Sequence, residues 1–298
     1  MSLGNTFRIR HPLAFDDTMG SNDDKQITIG DLPVPAPDWT KVKDGEIVVD
    51  NLPVNFLKPY LQPPTLVPVF RKFDVGNDHQ RTWRIYTELE VVGNSSASFG
   101  VGTWADSKLY AATLQWLSIP ASNHSFQTGT VTIPQGGSNG RVHFPKPFNS
   151  QPQMFYTFNR IDLSHEFRID LNVHTITSNG FNFEVESWSN GLVDGAVVTW
   201  IAFTGNMAGV GLYTVQFQTG IGDPNEGTIV FDKAINNPQV FIGLNKMDIV
   251  SVRQAVRIEV QVSSLNSTSM HWKVVSNGED VVLQEARVTF LVIGTLSN

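Results

Sequence analysis

Apolar and polar residues alternate with a period of two along much of the chain. Ile169, Leu171 and Val173 are separated by Asp170, Asn172 and His174, and Ile258, Val260 and Val262 by Glu259, Gln261 and Ser263. This period, with one apolar side, predicts antiparallel strands buried on one face. A second pattern, small then branched then bulky, appears as Ala112-x-Leu114-x-Trp116, Ala196-x-Val198-x-Trp200 and Ala286-x-Val288-x-Phe290. It suits the interior of a β-sandwich and assigns Trp116, Trp200 and Phe290 to the core. No stretch carries a helical stripe, so the expected fold class is all-β.

These strands belong to a repeat. Arg-Ile opens an alternating stretch at Arg84, Arg168 and Arg257. Twenty residues after the first two arginines stand Trp104 and Trp188, and twelve further on Trp116 and Trp200; the third copy has Gly278, twenty-one residues after its arginine, and Phe290 twelve further on. Upstream of each arginine lie an apolar strand, a lysine and a proline-marked bend, ending at Pro63, Pro152 and Pro238, and then an aspartate, Asp74, Asp162 or Asp248. Proline lacks the N–H a ladder needs, so it marks the strand end. Phe126-Gln-Thr-Gly129 and Phe217-Gln-Thr-Gly220 mark the openings of copies two and three. The expected modules are 1–120, 121–209 and 210–298, the first with an N-terminal extension that supplies its first strand and a long loop. Linkers near 121–124 and 205–211 are short, so the modules should pack together.

Composition narrows the function. Of 298 residues, 16% are charged and the formal net charge is −7 with no Lys/Arg cluster, which disfavours a phosphate backbone as partner. There is no cysteine, so thiolate and disulfide chemistry are excluded. No apolar stretch is long enough to span a bilayer, so no membrane insertion is expected. The N-terminus lacks a charged region followed by an apolar one, and the expected location is the cytoplasm or release without a signal peptide. The sequons at Asn94, Asn123 and Asn266 are then read as chance. The histidines show no metal-ligand spacing, and the oxygen-rich turn at Asp223–Glu226 reads as a solvated turn more than a calcium loop. No cofactor is implied, and no hydrolase or phosphate-loop pattern occurs.

Arg84, Arg168 and Arg257 each carry a planar fork suited to sugar hydroxyls, or else a structural salt bridge with Asp74, Asp162 or Asp248. Trp104 and Trp188 can stack on a sugar ring or pack between modules. Asp106 and Tyr110 flank Trp104 as loop polar groups.

At these residues the chain resembles the H-type lectin family of snail agglutinins and discoidin C-terminal domains. The resemblance rests on Phe99-Gly-Val-Gly-Thr-Trp104-Ala-Asp-Ser-Lys-Leu-Tyr110 with Leu114-Gln-Trp116 in copy one. In copy two it rests on Gly180-Phe181, Trp188-Ser-Asn-Gly-Leu-Val-Asp194 and Thr199-Trp200-Ile201-Ala202. It covers roughly 50–295, with copy three degenerate. It implies six-stranded antiparallel sandwiches, a threefold assembly, and galactose or N-acetylgalactosamine bound in clefts between protomers. The implied ligand-binding set is Arg84, Trp104, Asp106, Tyr110, Arg168, Trp188, Asn190, Asp194 and Arg257, with the first copy's residues forming the best site and salt affecting binding little. The family's site histidine is replaced by Ala105 and Ser189, its tyrosine by Asp194 in copy two, and its early aspartate has only Asp44 and Asp223 as candidates. Three modules in one chain suggest an intrachain pseudo-trimer, a non-enzymatic multivalent lectin whose partners are glycans or glycoproteins, with homo-oligomerisation left open. Two other readings stand beside it: an assembly protein reusing the fold without sugar binding, and a glycan hydrolase with carboxylates in an inter-module cleft.

Overall fold

The computed structural model of the chain describes residues 26–35, 37, 46–77, 81–205, 207–219, 225–251, 255–276 and 281–295. The acidic N-terminal run, Asp44, Asp223 and Gly278 lie outside them. Among the described residues there is no α-helix, as the period-two alternation requires. The first copy supplies β1 (Thr28–Val34), β2 (Glu46–Asn55), β3 (Thr65–Asn77), β4 (Thr82–Val92), β5 (Ser96–Trp104) and β6 (Ser107–Ile119). The second supplies β7 (Phe126–Ile133), β8 (Ser138–His143), β9 (Gln153–Ser164), β10 (Phe167–Thr177), β11 (Gly180–Glu186) and β12 (Leu192–Phe203). The third supplies β13 (Val210–Gln218), β14 (Glu226–Val230), β15 (Gln239–Ser251), β16 (Ala255–Ser263), β17 (Ser269–Val275) and β18 (Val281–Ile293).

Six-stranded antiparallel sheets form, three of them, but none belongs to one copy. Their orders are β1-β6-β3-β16-β17-β14, β2-β5-β4-β9-β12-β7 and β13-β18-β15-β10-β11-β8. Each copy thus contributes three strands to one sheet and three to another. The joins are β3 with β16, β4 with β9 and β10 with β15, so copy one meets copy three, copy three meets copy two, and copy two meets copy one. The ring closes within a single chain. Pairing across these joins removes strand edges that a lone module would expose.

Side-chain burial follows the alternation. Ile169 and Leu171 on β10 and Ile258 and Val260 on β16 are buried, and Ala112, Leu114, Trp116 and their counterparts in β12 and β18 are all core. A separate cluster lies where the copies converge: Val67, Leu117 and Ile119 from the first, Phe155, Ile201 and Phe203 from the second, Phe241, Leu291 and Ile293 from the third. Two polar side chains buried there, Gln115 and Thr157, are satisfied across copies. Gln115 donates Nε2 to the Val240 carbonyl at 2.9 Å and accepts from Ile242 N–H at 2.8 Å. Thr157 Oγ1 donates to the Leu244 carbonyl at 3.1 Å and accepts from its N–H at 3.0 Å. Such pairing offsets the cost of burying amide and hydroxyl groups.

One sequence equivalence fails. Phe126 pairs with Phe203 at the start of β7, whereas Phe217 pairs with Ala286 near the end of β13. The two Phe-Gln-Thr-Gly pieces therefore occupy different positions. Trp116 and Trp200 lie across Gly30 and Gly129, where a Cβ would come within 2.5 Å of the indole in both cases. In the third copy the facing pair is Tyr213 with Phe290, so bulk has moved from one strand to its neighbour and the glycine signal has gone.

Candidate functional site

The repeated arginines sit where one copy joins the next. Arg84, Arg168 and Arg257 are the backbone partners of Asp162, Asp248 and Asp74 across the three joins. Their side chains meet as well. Arg84 Nε lies 3.0 Å from Asp162 Oδ1, Arg168 Nε donates to Asp248 Oδ1 at 3.0 Å, and Arg257 Nε donates to Asp74 Oδ2 at 2.8 Å. The aspartates named by the salt-bridge reading are the ones that pair, and each bridge runs between copies. A β-bulge lies beside each of these aspartates in its own sheet, between Val193 and Gly195, Asp248 and Ile249, and Asp74 and Val75. Bulges re-aim side chains and are common beside functional positions.

At the join of copies one and two, Arg84 also donates Nη1 to Asp106 Oδ1 at 2.5 Å, and Thr82 Oγ1 reaches both Asp106 oxygens at 2.6 and 2.7 Å. Asp106 is placed there by the β5–β6 turn, in which Ala105 takes a left-handed φ of 57°. Trp104, half-buried at the end of β5, lies beside Tyr86, with ring centroids 5.9 Å apart. Arg160, from β9 of the second copy, covers the Trp104 ring at 4.3 Å and the Tyr86 ring at 5.8 Å. Tyr86 can lie flat because its partner is Gly102, whose Cβ would come within 2.6 Å of the phenol ring. Burial pushes the Asp162 carboxyl above the usual carboxylate range against the pull of Arg84, and Asp194 on β12 pushes the same way.

The join of copies two and three keeps the frame and changes the filling. Arg168 Nη1 pairs with Glu166 at 2.5 Å. Asp170 stands where Tyr86 does and is paired with Lys246 and Arg287. Lys246 also reaches Glu285 at 2.8 Å, and its Nζ lies 5.0 Å from the centre of the Trp188 ring. Burial raises the Asp248 carboxyl, Arg168 opposes the shift, and Glu285 and Glu166 add to it. Asn190 is exposed in the turn after Trp188, where Ser189 has φ 59°. At the join of copies three and one, Lys72 pairs with Glu259 at 3.2 Å beside the Arg257–Asp74 bridge.

The expected set is thus redistributed. Arg84, Trp104 and Asp106 come together, and the partner that copy two adds is Asp194, through Asp162. Tyr110, expected in that group, sits on β6 in a different sheet, with its ring against Gly76 of β3. Gly76 is the backbone partner of Ala255, so Tyr110 belongs beside the Arg257 join. The residues that come together at each join are drawn from two copies, because the strands carrying them lie in sheets shared between copies. The residues not foreseen are Lys72, Arg160 and Lys246. Their signal was present as Lys-Phe-Asp74, Arg-Ile-Asp162 and Lys-Met-Asp248, a cation two residues before each repeated aspartate and so on the same strand face. No group of three or more His, Asp or Glu side chains among the described residues is arranged to hold a metal ion.

Three stretches of the chain, 51–119, 139–203 and 227–293, match the model of the H-type lectin domain. No curated protein and no solved structure matches the chain.

Proposed function

The chain belongs to the H-type lectin family, and from that premise we propose that it binds glycans multivalently, in the clefts over its three inter-copy joins. The supporting observation is that each join gathers an arginine, a carboxylate and a second cation from two copies onto one surface, with an indole over two of them. Planar forks and aromatic rings suit sugar hydroxyls and apolar sugar faces. Galactose-type sugars are the first class to test, on the family resemblance. Three linked sites of low individual affinity would gain avidity on a multivalent surface. A glycan array probed with the full chain tests the reading, and absence of binding to every glycan sinks it.

A second reading is favoured by a specific observation. All three repeated arginines are engaged by carboxylates of the neighbouring copy, and the indoles of Trp104 and Trp188 are capped by cations. On that reading these residues hold the ring together and the chain serves assembly without sugar. Arg84→Ala separates the two. Loss of glycan binding with a nearly unchanged melting temperature supports the lectin reading; loss of stability with no glycan binding by the parent supports assembly.

A further inference from the structure

The three cations two residues before the repeated aspartates are equivalent in position but not in partnership. Lys72 faces Glu259 and is paired with it. Lys246 faces Asp170 and is paired with both Asp170 and Glu285. Arg160 faces Tyr86, and it has no ion pair among the described residues. The residue is exposed, and its guanidinium has one face against Trp104. The guanidinium's N–H donors all lie in its plane, so a ring stacked on the face leaves the edge available. The nearby charged groups are engaged with one another or with neutral groups: Arg84 with Asp106 and Asp162, and Asp194 with Gln135 at 3.3 Å.

We propose that Arg160, held on the Trp104–Tyr86 platform, receives the carboxylate of an acidic sugar, a uronic or a sialic acid, at the join of copies one and two. The proposal rests on the glycan-binding reading and sharpens it for this join. A stacked guanidinium is pre-organised for bidentate, charge-assisted hydrogen bonds to a carboxylate, and the half-buried Trp104 indole beside it offers apolar surface to the sugar ring. The other two joins have carboxylates on their equivalent cations, so an added carboxylate would have to displace one already bound. Asp106, Asp162 and Asp194 oppose an incoming anion through space. Recognition therefore depends on the fork's short-range geometry, not on the general field of the join.

The test uses the full chain with digalacturonate, sialyllactose and lactose as probes, followed by calorimetry and by the Trp104 indole NMR signal. At least one carboxylated probe should bind about tenfold or more tightly than lactose and shift the Trp104 signal, as expected of hydrogen bonds to a charged group. The two acidic probes distinguish the uronic from the sialic source. Arg160→Gln should reduce the affinity to that of lactose, Arg160→Lys should restore only part of it, and Lys273→Gln, on β17 and outside the three joins, should leave it unchanged. Equal affinity for lactose, or carboxylate binding that survives Arg160→Gln, overturns the proposal while leaving neutral glycan binding intact. Failure of all three probes, together with an empty glycan array, overturns both.

Discussion

The join between copies one and two and the join between copies two and three are built on the same backbone register. Both place an arginine opposite an aspartate, with a cation two residues further along and an indole beyond. Around that shared frame their chemistry diverges. One has Tyr86 lying over Gly102 with Arg160 stacked above; the other has Asp170, Lys246, Glu285 and Arg287 in a closed ionic network. Identical joins in a symmetric trimer must change together. Joins made within one chain are encoded separately, so the frame can stay while each filling drifts. The part that cannot drift is the part that fixes register, because a slip of one residue would turn every core side chain outward.

Four experiments break or sharpen this comparison. The largest effect is expected beneath both joins, in the framework they share. Trp200 is buried and packs on Phe144 and Phe181, so Trp200→Ala should cost about 3–5 kcal/mol in chemical denaturation. An unchanged midpoint would show that the joins do not depend on this core. Next come the bridges. Arg168→Ala leaves the mostly buried Asp248 without its cation and should cost about 2 kcal/mol. A double-mutant cycle with Asp248→Ala should return a coupling of roughly 1 kcal/mol, and zero coupling would demote the bridge to decoration.

The fillings should differ in a smaller way. Lys246 is linked to two carboxylates, so Lys246→Gln should lower stability by up to about 1 kcal/mol, whereas exposed Arg160→Gln should fall within roughly 0.5 kcal/mol of the parent. Equal losses would erase the contrast between a closed network and an open fork. The smallest effect is in acid. The carboxyls of Asp162 and Asp248 are raised by burial, so the native state holds their protons more tightly than the unfolded chain does. Their ionisation therefore subtracts stability as pH rises from the ordinary carboxylate value through the raised one, and the deficit is constant above it. Relative to the parent, Asp162→Asn and Asp248→Asn should each gain stability as pH rises through that window. A relative loss over the same window would mean that the arginines outweigh burial and the sign is reversed.

The sequence by itself determined the strands, the threefold repeat and the core identities of Trp116, Trp200 and Phe290, because alternation and recurrence are local or periodic properties carried by residue type. It also named the arginines, aspartates and two of the tryptophans that meet at the joins. Only the tertiary structure decided which ones meet: that Arg84 finds the aspartate of the second copy, that Tyr110 stands beside the Arg257 join, and that Arg160 faces a tyrosine where Lys72 and Lys246 face carboxylates. The same holds for the exchange of bulk between Gly129–Trp200 and Tyr213–Phe290, which is visible only once the strands are paired. Strand pairing between distant segments depends on which edges are left unpaired after each copy folds, and that is a property of the assembled ring and not of any one stretch of chain.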